Sequence, residues 1–425
     1  MIAEKTDTKQ TFLEGMKPSS GFAPEVVNDA LAAIRDLHFP ASKDEYWKYT
    51  RPTKIVNSTF VLAETDQHID INPYKIPGLD AWRIILVNGV FRKDLSELEG
   101  IPAGLEIIGL EDAANSPVAA AHLGKIARHD QIFTAINTAY ATGGVILIAG
   151  EKVRNDKPIH IIHLQSADNG ISQPRVLIVA KKNSELNVIH SFKSTVSTRT
   201  FTNSVVEIEV EQNARLDYNK VQIENEESLI LSTEQVHQER DSYFAINTIT
   251  LNGSWVRNNL NIVIDGENCE THLNGIYPLS AHQHVDNHTL VDHRLPHSVS
   301  HELYKGILTD NSTGIFNGKV FVRKDAQKTN AFQQNANILL SENAQVNTKP
   351  ELEIYADDVK CSHGCTTGQF DEEAIFYLRS RGISEKGAKN MLVYAFAGEV
   401  LDKIRVEPLK NHVSQIMAER FNWEH

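Results

Sequence analysis

Asn183-Ser184-Glu185-Leu186-Asn187, Asn213-Ala214-Arg215-Leu216-Asp217 and Asn343-Ala344-Gln345-Val346-Asn347 follow one pattern: Asn, a small residue, a polar one, an aliphatic, then Asn or Asp. The first two begin 30 residues apart, within the range that marks stacked coils. In such a coil the Asn-led turn delivers one aliphatic inward, and neighbouring coils bury a continuous core. The same turn chemistry also repeats in a β-sandwich, so the echo leaves coil and sandwich both open.

Around the echo, from about 145 to 357, short β-rich runs follow one another with hardly any helical period. They fall at 158–164, 175–180, 185–191, 205–210, 215–223, 245–251, 260–264 and 319–322, separated by Asn, Gly, Asp and Ser. Upstream, Val27, Ala30, Leu31, Ile34 and Leu37 recur at helical spacing behind Pro24, predicting a helix over 24–37. Trp82-Arg83-Ile84-Ile85-Leu86-Val87 predicts a strand closed by an Asn88-Gly89 turn. Residues 111–141 read as helix, broken near Asn115-Ser116-Pro117.

After 370 the period turns helical again. Asp371 caps a short helix carrying Ile375, Phe376 and Leu378, which stops at Arg381-Gly382. Ser384 caps a longer one whose apolar stripe reads Ala388, Met391, Leu392, Ala395, Phe396, Val400 and Ile404. Pro408 sets off a last helix with Leu409, Val413, Ile416, Met417 and Phe421. Helices this short need a surface to pack on. The expected division is an N-terminal helical and mixed region over 1–144, a β core over 145–365 and a helical domain over 366–425.

The 425 residues hold 55 acidic side chains against 42 basic ones, a formal charge of −13. That field repels phosphate backbones, and no basic stripe with interleaved aromatics offsets it, which argues against nucleic acid as a partner. The opening Met1-Ile2-Ala3-Glu4-Lys5-Thr6-Asp7 is polar and lacks the apolar core of a leader. No apolar run approaches the ~20 residues that span a bilayer. Three cysteines, Cys269, Cys361 and Cys365, form no disulfide framework and suit a reducing compartment. A cytoplasmic protein is expected.

The common catalytic motifs are missing. Gly382-Ile383-Ser384-Glu385-Lys386-Gly387-Ala388-Lys389 comes nearest to a phosphate loop but has Ala388 where a lysine must reach the phosphates. No dinucleotide fingerprint follows a strand, and His301-Glu302 lacks the second histidine of a zinc protease. The densest chemistry is Asp357-Asp358-Val359-Lys360-Cys361-Ser362-His363-Gly364-Cys365. In an extended segment Cys361, His363 and Cys365 fall on one side, offering thiolate and imidazole to a thiophilic metal or an iron–sulfur cluster. Lys360 and a protonated His363 would favour the Cys361 thiolate. Three ligands at spacing two do not close a four-ligand site, which points to an open or shared one. A buried turn with incidental thiols is the alternative. Residues 272–301 hold seven of the 18 histidines: His272, His282, His284, His288, His293, His297 and His301. Their spacings fit no single ligand pattern, and a structural role is favoured over metal binding.

Several longer strings run in register with one family. Tyr355-Ala356-Asp357-Asp358-Val359-Lys360-Cys361-Ser362-His363-Gly364, then Gly368, then Ile375-Phe376-Tyr377-Leu378-Arg379-Ser380-Arg381-Gly382-Ile383, resembles the SufB/SufD family of the Suf iron–sulfur cluster assembly machinery. Trp47-Lys48-Tyr49-Thr50, Val87-Asn88-Gly89, Phe316-Asn317-Gly318, 326–340, 349–354 and Tyr394-Ala395-Phe396 match its pattern too. The His363-Gly364 pair and the shortage of cysteines favour the SufD branch over the SufB branch.

The resemblance implies a mainly β protein, a right-handed parallel β-helix flanked by an N-terminal α/β region and a C-terminal helical domain. It implies a non-enzymatic scaffold that pairs with the SufB paralogue through the β-helix and docks the SufC ATPase through its C-terminal helices. Cys361 and His363 then lie at the SufB–SufD junction, where a nascent, transient cluster forms. Cys365 departs from the small residue of the family pattern, which leaves its ligand role open. Flavin is associated with the assembled complex, but no residue here marks a flavin site. The cluster type, the recipient apoproteins and homodimer formation by the isolated chain stay open. Two other readings stand beside it. A β-helix enzyme acting on carbohydrate calls for a leader and a groove of acidic and basic side chains, neither of which is evident. A metal-storage module would use the histidine tract.

Overall fold

The computed structural model describes residues 8–41, 43–63, 65 and 68–421. The polar opening at 1–7, read above as lacking a leader core, lies outside them. Through the coil, strands that follow one another in the chain go to alternate sheets, and each pairs in parallel with the strand two places on. Arg215–Ile223 thus pairs with Glu185–Ser194 before it and Tyr243–Thr250 after it, while Phe201–Val210 pairs with Leu229–Gln238 in the opposite sheet. Parallel neighbours need a long crossover, and here the crossover is itself a strand of the other sheet. The result is a parallel β-solenoid of about 8 turns, with 41% of residues in strands and 22% in helices. The choice between coil and sandwich resolves to the coil.

The echo marks a corner of that coil. Asn183 and Asn213 take φ of 63° and 57°, and Asp241, Asn268, His297 and Lys328 occupy the same left-handed place two residues ahead of later strands. Asn and Asp tolerate this conformation through local hydrogen bonds. Asn213 Nδ2 donates to Asn183 Oδ1 at 2.7 Å, so successive corners stack. The next residue in each coil (Ser184, Ala214, Ser242, Cys269, Ser298, Thr329) is buried. Cys269 therefore fills a small-residue slot, its Sγ donating to the Glu239 carbonyl at 3.1 Å. Leu186 and Leu216, in register, are the inward aliphatics. The third copy of the pattern differs. Asn343 precedes Gln345–Ile354, a strand of the opposite sheet, and so turns a different corner. Its likeness is local turn chemistry.

Between the sheets runs one apolar interior, to which Val188, Tyr218 and Ile246 contribute from one side and Ile208, Val236 and Ile262 from the other. Two polar pairs enter it. Lys220 Nζ meets Glu234 Oε2 at 2.6 Å, and His190 Nδ1 lies 2.8 Å from the Tyr218 hydroxyl. The first strand, Trp82–Val87, closes through the expected Asn88-Gly89 turn, with φ of 50° and 92°.

Helices Pro24–Asp36 and Ile132–Tyr140 belong to the layer on the outer face of one sheet. The stretch expected to be helical over 111–141 divides into Leu110–Asn115, Pro117–His122 and Ile132–Tyr140. Buried Glu207 ties this layer to the coil. Its carboxylate accepts from the backbone N–H groups of Gly124, Ile126 and Ala127 and from Arg175 Nη2 at 2.7 Å. Trp47 and Thr50 act as a second clamp. The Arg257 guanidinium lies 3.9 Å over the Trp47 ring and donates to the Tyr46 carbonyl and to Asp286, and Thr50 Oγ1 lies 2.9 Å from His284 Nε2.

On the outer face of the other sheet lie Glu372–Ser380, Glu385–Leu401 and Glu407–Phe421, the first two capped by Asp371 and Ser384 as expected. Val393, Ala397, Val400, Ile404, Val413 and Met417 are buried with Ile249, Ile276 and Ile307 of the sheet. This shifts the stripe read from the sequence. Met391 is 51% exposed and Phe376 76%, Ala395 is exposed, and Leu392 and Phe396 are half-buried. Glu385–Leu401 is apolar on most sides, so the row of isoleucines on the sheet selects which face is covered.

Candidate functional site at the open end of the coil

The solenoid stops at Gln345–Ile354 and Lys360–Gly368, the last strand of each sheet, paired on one side only. Their outer edges present a row of unbonded backbone groups, a template for another strand. Cys361 stands in register with Ala331, His363 with Gln333 and Cys365 with Asn335. Those three neighbours are buried in the interior, so Cys361, His363 and Cys365 share the face that would continue it. No coil of this chain follows. Cys361 is therefore half-buried, and His363 and Cys365 are exposed.

The expected common side is present, but alternate residues of a strand stand about 7 Å apart. Among the described residues, no three His, Cys, Asp or Glu side chains come together as a metal-holding group. One expectation is overturned. The Cys361 thiol is pushed up by burial, only partly offset by the backbone hydrogen bond from Ala331. Lys360 does not favour the thiolate because adjacent residues of a strand point to opposite faces.

Behind the exposed ligand types lies a polar interior. Gln333 Nε2 donates to Glu302 Oε2 at 2.7 Å, and burial pushes the Glu302 carboxyl up to about 7. Asn335 Nδ2 donates to the Tyr277 hydroxyl and the Tyr304 carbonyl, each at 3.1 Å. Glu302, Gln333 and Asn335 carry no motif of their own. Counting back from 363 and 365 by about 30 residues a coil, one coil to Gln333 and Asn335 and two to Glu302, is the signal that reaches them.

The seven histidines of 272–301 scatter. His293 is buried in the interior at 2.9 Å from Ser300 Oγ, while His284 meets Thr50 and His288 meets Asp286 at 3.0 Å on the outer face of that sheet. His272 and His301 stack at 5.5 Å on the other sheet's outer face, with Phe332 next on the stack, and His297 turns a corner. Beyond the coil, Phe376, Tyr377, Met391 and Tyr394 are all more than half exposed on the C-terminal helices.

Residues 163–396 match the SufBD core domain of SUF system FeS cluster assembly, and residues 16–161 match the SufBD protein N-terminal region. The chain belongs to the SufBD family. An iron–sulfur cluster assembly SufBD family protein of Synechocystis is 31% identical over 91% of this chain and 88% of its own length. The iron–sulfur cluster assembly protein SufD of Escherichia coli is 31% identical over 90% of this chain and 89% of its own. The chloroplastic protein ABCI7 of Arabidopsis thaliana is 27% identical over 94% and 87%. The SufBD family takes part in iron–sulfur cluster assembly, which agrees with the ligand types gathered at the open end. Among the described residues, no helix is long and apolar enough to cross a membrane.

Proposed function

We propose that this chain is a cytoplasmic, non-enzymatic scaffold of cluster assembly that builds a nascent iron–sulfur cluster at a junction with a SufB-type partner. The carrying observation is the unfinished coil end, where two unpaired strand edges flank a face bearing Cys361, His363 and Cys365. A partner coil extending the two sheets would cover Ile354, exposed on the last strand of its sheet, and would supply the ligands that three side chains on one strand cannot. The cluster, iron and sulfide together, is cargo built from both sides. Cys361 and His363 are the principal ligands on this side, and Cys365 is secondary. Phe376, Tyr377, Met391 and Tyr394 form the surface for the SufC-type ATPase, since an exposed apolar patch of this kind marks a protein contact. Flavin association belongs to the assembled complex, and no residue is assigned to it.

The test expresses the chain with its SufB and SufC partners under anaerobic conditions and measures iron and sulfide on the complex. Cys361→Ser and His363→Ala are expected to lower both severalfold while the circular dichroism and partner association stay near wild type. Cys365→Ala is expected to have the mildest effect. Full cluster content in both principal variants refutes the reading. Phe376→Ser with Met391→Ser is expected to release the ATPase and leave the SufB contact in place.

A further inference from the structure

The inward column that ends at His363 carries a second function of the coil interior. Glu302 pairs in register with Gln333, and Gln333 with His363, so the three side chains stand on successive coils with strands ~4.8 Å apart. Glu302 and Gln333 are 5% and 3% exposed, whereas His363 is exposed. Gln333 spends its amide nitrogen on the Glu302 carboxylate at 2.7 Å, and its Oε1 is buried with no hydrogen-bond partner in the chain. A buried carbonyl oxygen left unpaired loses its hydration with nothing in return, so its place next to the terminal histidine calls for an explanation. The facing sheet is cut away to admit this amide. A Cβ on Gly318 would stand 2.3 Å from Gln333 Nε2 and 2.7 Å from Phe316 Cζ.

We infer that Gln333 is a positioning residue whose free Oε1 accepts the ring N–H of His363 when that exposed ring turns inward onto it, setting its tautomer and aiming the bare nitrogen at the open end of the coil. Glu302 sets the direction of the amide. Once ionised, that carboxylate only accepts hydrogen bonds, so it takes the NH₂ end and leaves the carbonyl for the next coil. A ligating imidazole is commonly held in this way by an acceptor on its other nitrogen. The inference rests on the reading of His363 as a ligand, and it adds two buried residues to that site.

The test uses the full-length chain with its histidine ring nitrogens isotope-labelled, at mildly alkaline pH. The His363 signals are identified by their loss in His363→Ala. In the wild type, one ring nitrogen is expected to read as protonated and the other as bare. In Gln333→Met, which keeps the volume and removes the acceptor, the two resonances converge toward the average of a freely exchanging imidazole. Glu302→Gln lets either amide end face residue 333 and gives an intermediate separation. It also keeps the test open should Gln333→Met fold poorly. In the assembled complex Gln333→Met is expected to lower cluster content severalfold, by no more than His363→Ala does. An already averaged His363 in the wild type, or an unchanged separation in both variants, overturns the inference. Because the ring signals are read without any cluster, that outcome is distinct from a failure of the ligand reading, which shows as full cluster content in His363→Ala.

Discussion

A single inward column reads Val188, Tyr218, Ile246 and Leu273 through the middle coils, then Glu302, Gln333 and His363 toward the end. The backbone repeats without change along it. The first four side chains are sealed, each with a coil on either side, and the last is exposed because nothing follows. Position on the face is thus a property of the strand, whereas burial is a property of the neighbours. The middle of the solenoid holds the chain together, and its end is built to be completed by something else.

The comparison predicts a gradient of stability effects, measurable by urea unfolding of the isolated chain. Glu207→Ala should be the most damaging, on the order of 3–5 kcal/mol, because it strands buried Arg175 and three backbone N–H groups of the N-terminal layer. A loss under about 1 kcal/mol would mean that this layer is not coupled to the coil.

Leu216→Ala comes next, at roughly 2–5 kcal/mol for a fully buried leucine. Leu352→Ala, the same chemistry on the half-buried last strand, should cost about 1 kcal/mol. Equal costs would break the contrast between sealed and open coils.

Buried Glu224 sharpens it further. Burial raises its carboxyl to about 7, against the hydrogen bond from Thr202. The folded state then holds the proton to higher pH than the unfolded state, so stability falls as pH rises from about 4.5 to about 7 and levels off above that. Glu224→Gln removes this loss. It should match the wild type below about pH 4.5 and exceed it by on the order of 3 kcal/mol above about pH 7. His163 and His293, lowered by burial to about 3 and about 4, lose stability in the opposite direction as pH falls, but they are common to both proteins and cancel in the difference. A pH-independent difference would show that Glu224 stays ionised in the fold.

The smallest effect belongs to the site itself. Cys361→Ser on the half-buried edge should change the stability of the isolated chain by less than about 1 kcal/mol, in contrast to its severalfold effect on cluster content.

Much of this was legible in the residues. Asn183 and Asn213 announced a corner because few side chains tolerate the left-handed turn, and the β-rich runs at 175–180 and 205–210 announced strands. Strands such as His284–His293 and Asn330–Leu339 gave no such signal, since their inward residues include Asn287, Gln333 and Asn335, which meet partners a coil away, and His293, which meets Ser300 across the next corner. The resemblance of 355–383 and the other strings supplied the coil, and the comparisons placed the chain in the SufBD family.

By itself the sequence determined the local chemistry: which turns are left-handed, where the helices are capped, and that Cys361, His363 and Cys365 lie on one side of a strand. The tertiary structure alone decided what each of these faces. It placed Asn343 on a different corner from Asn183, turned Met391 and Phe376 outward, and raised the Cys361 thiol by burial where its neighbours in sequence had suggested the reverse. The reason is range. Turn and cap preferences are settled within a few residues, whereas burial in a solenoid is set by contacts about 30 residues away.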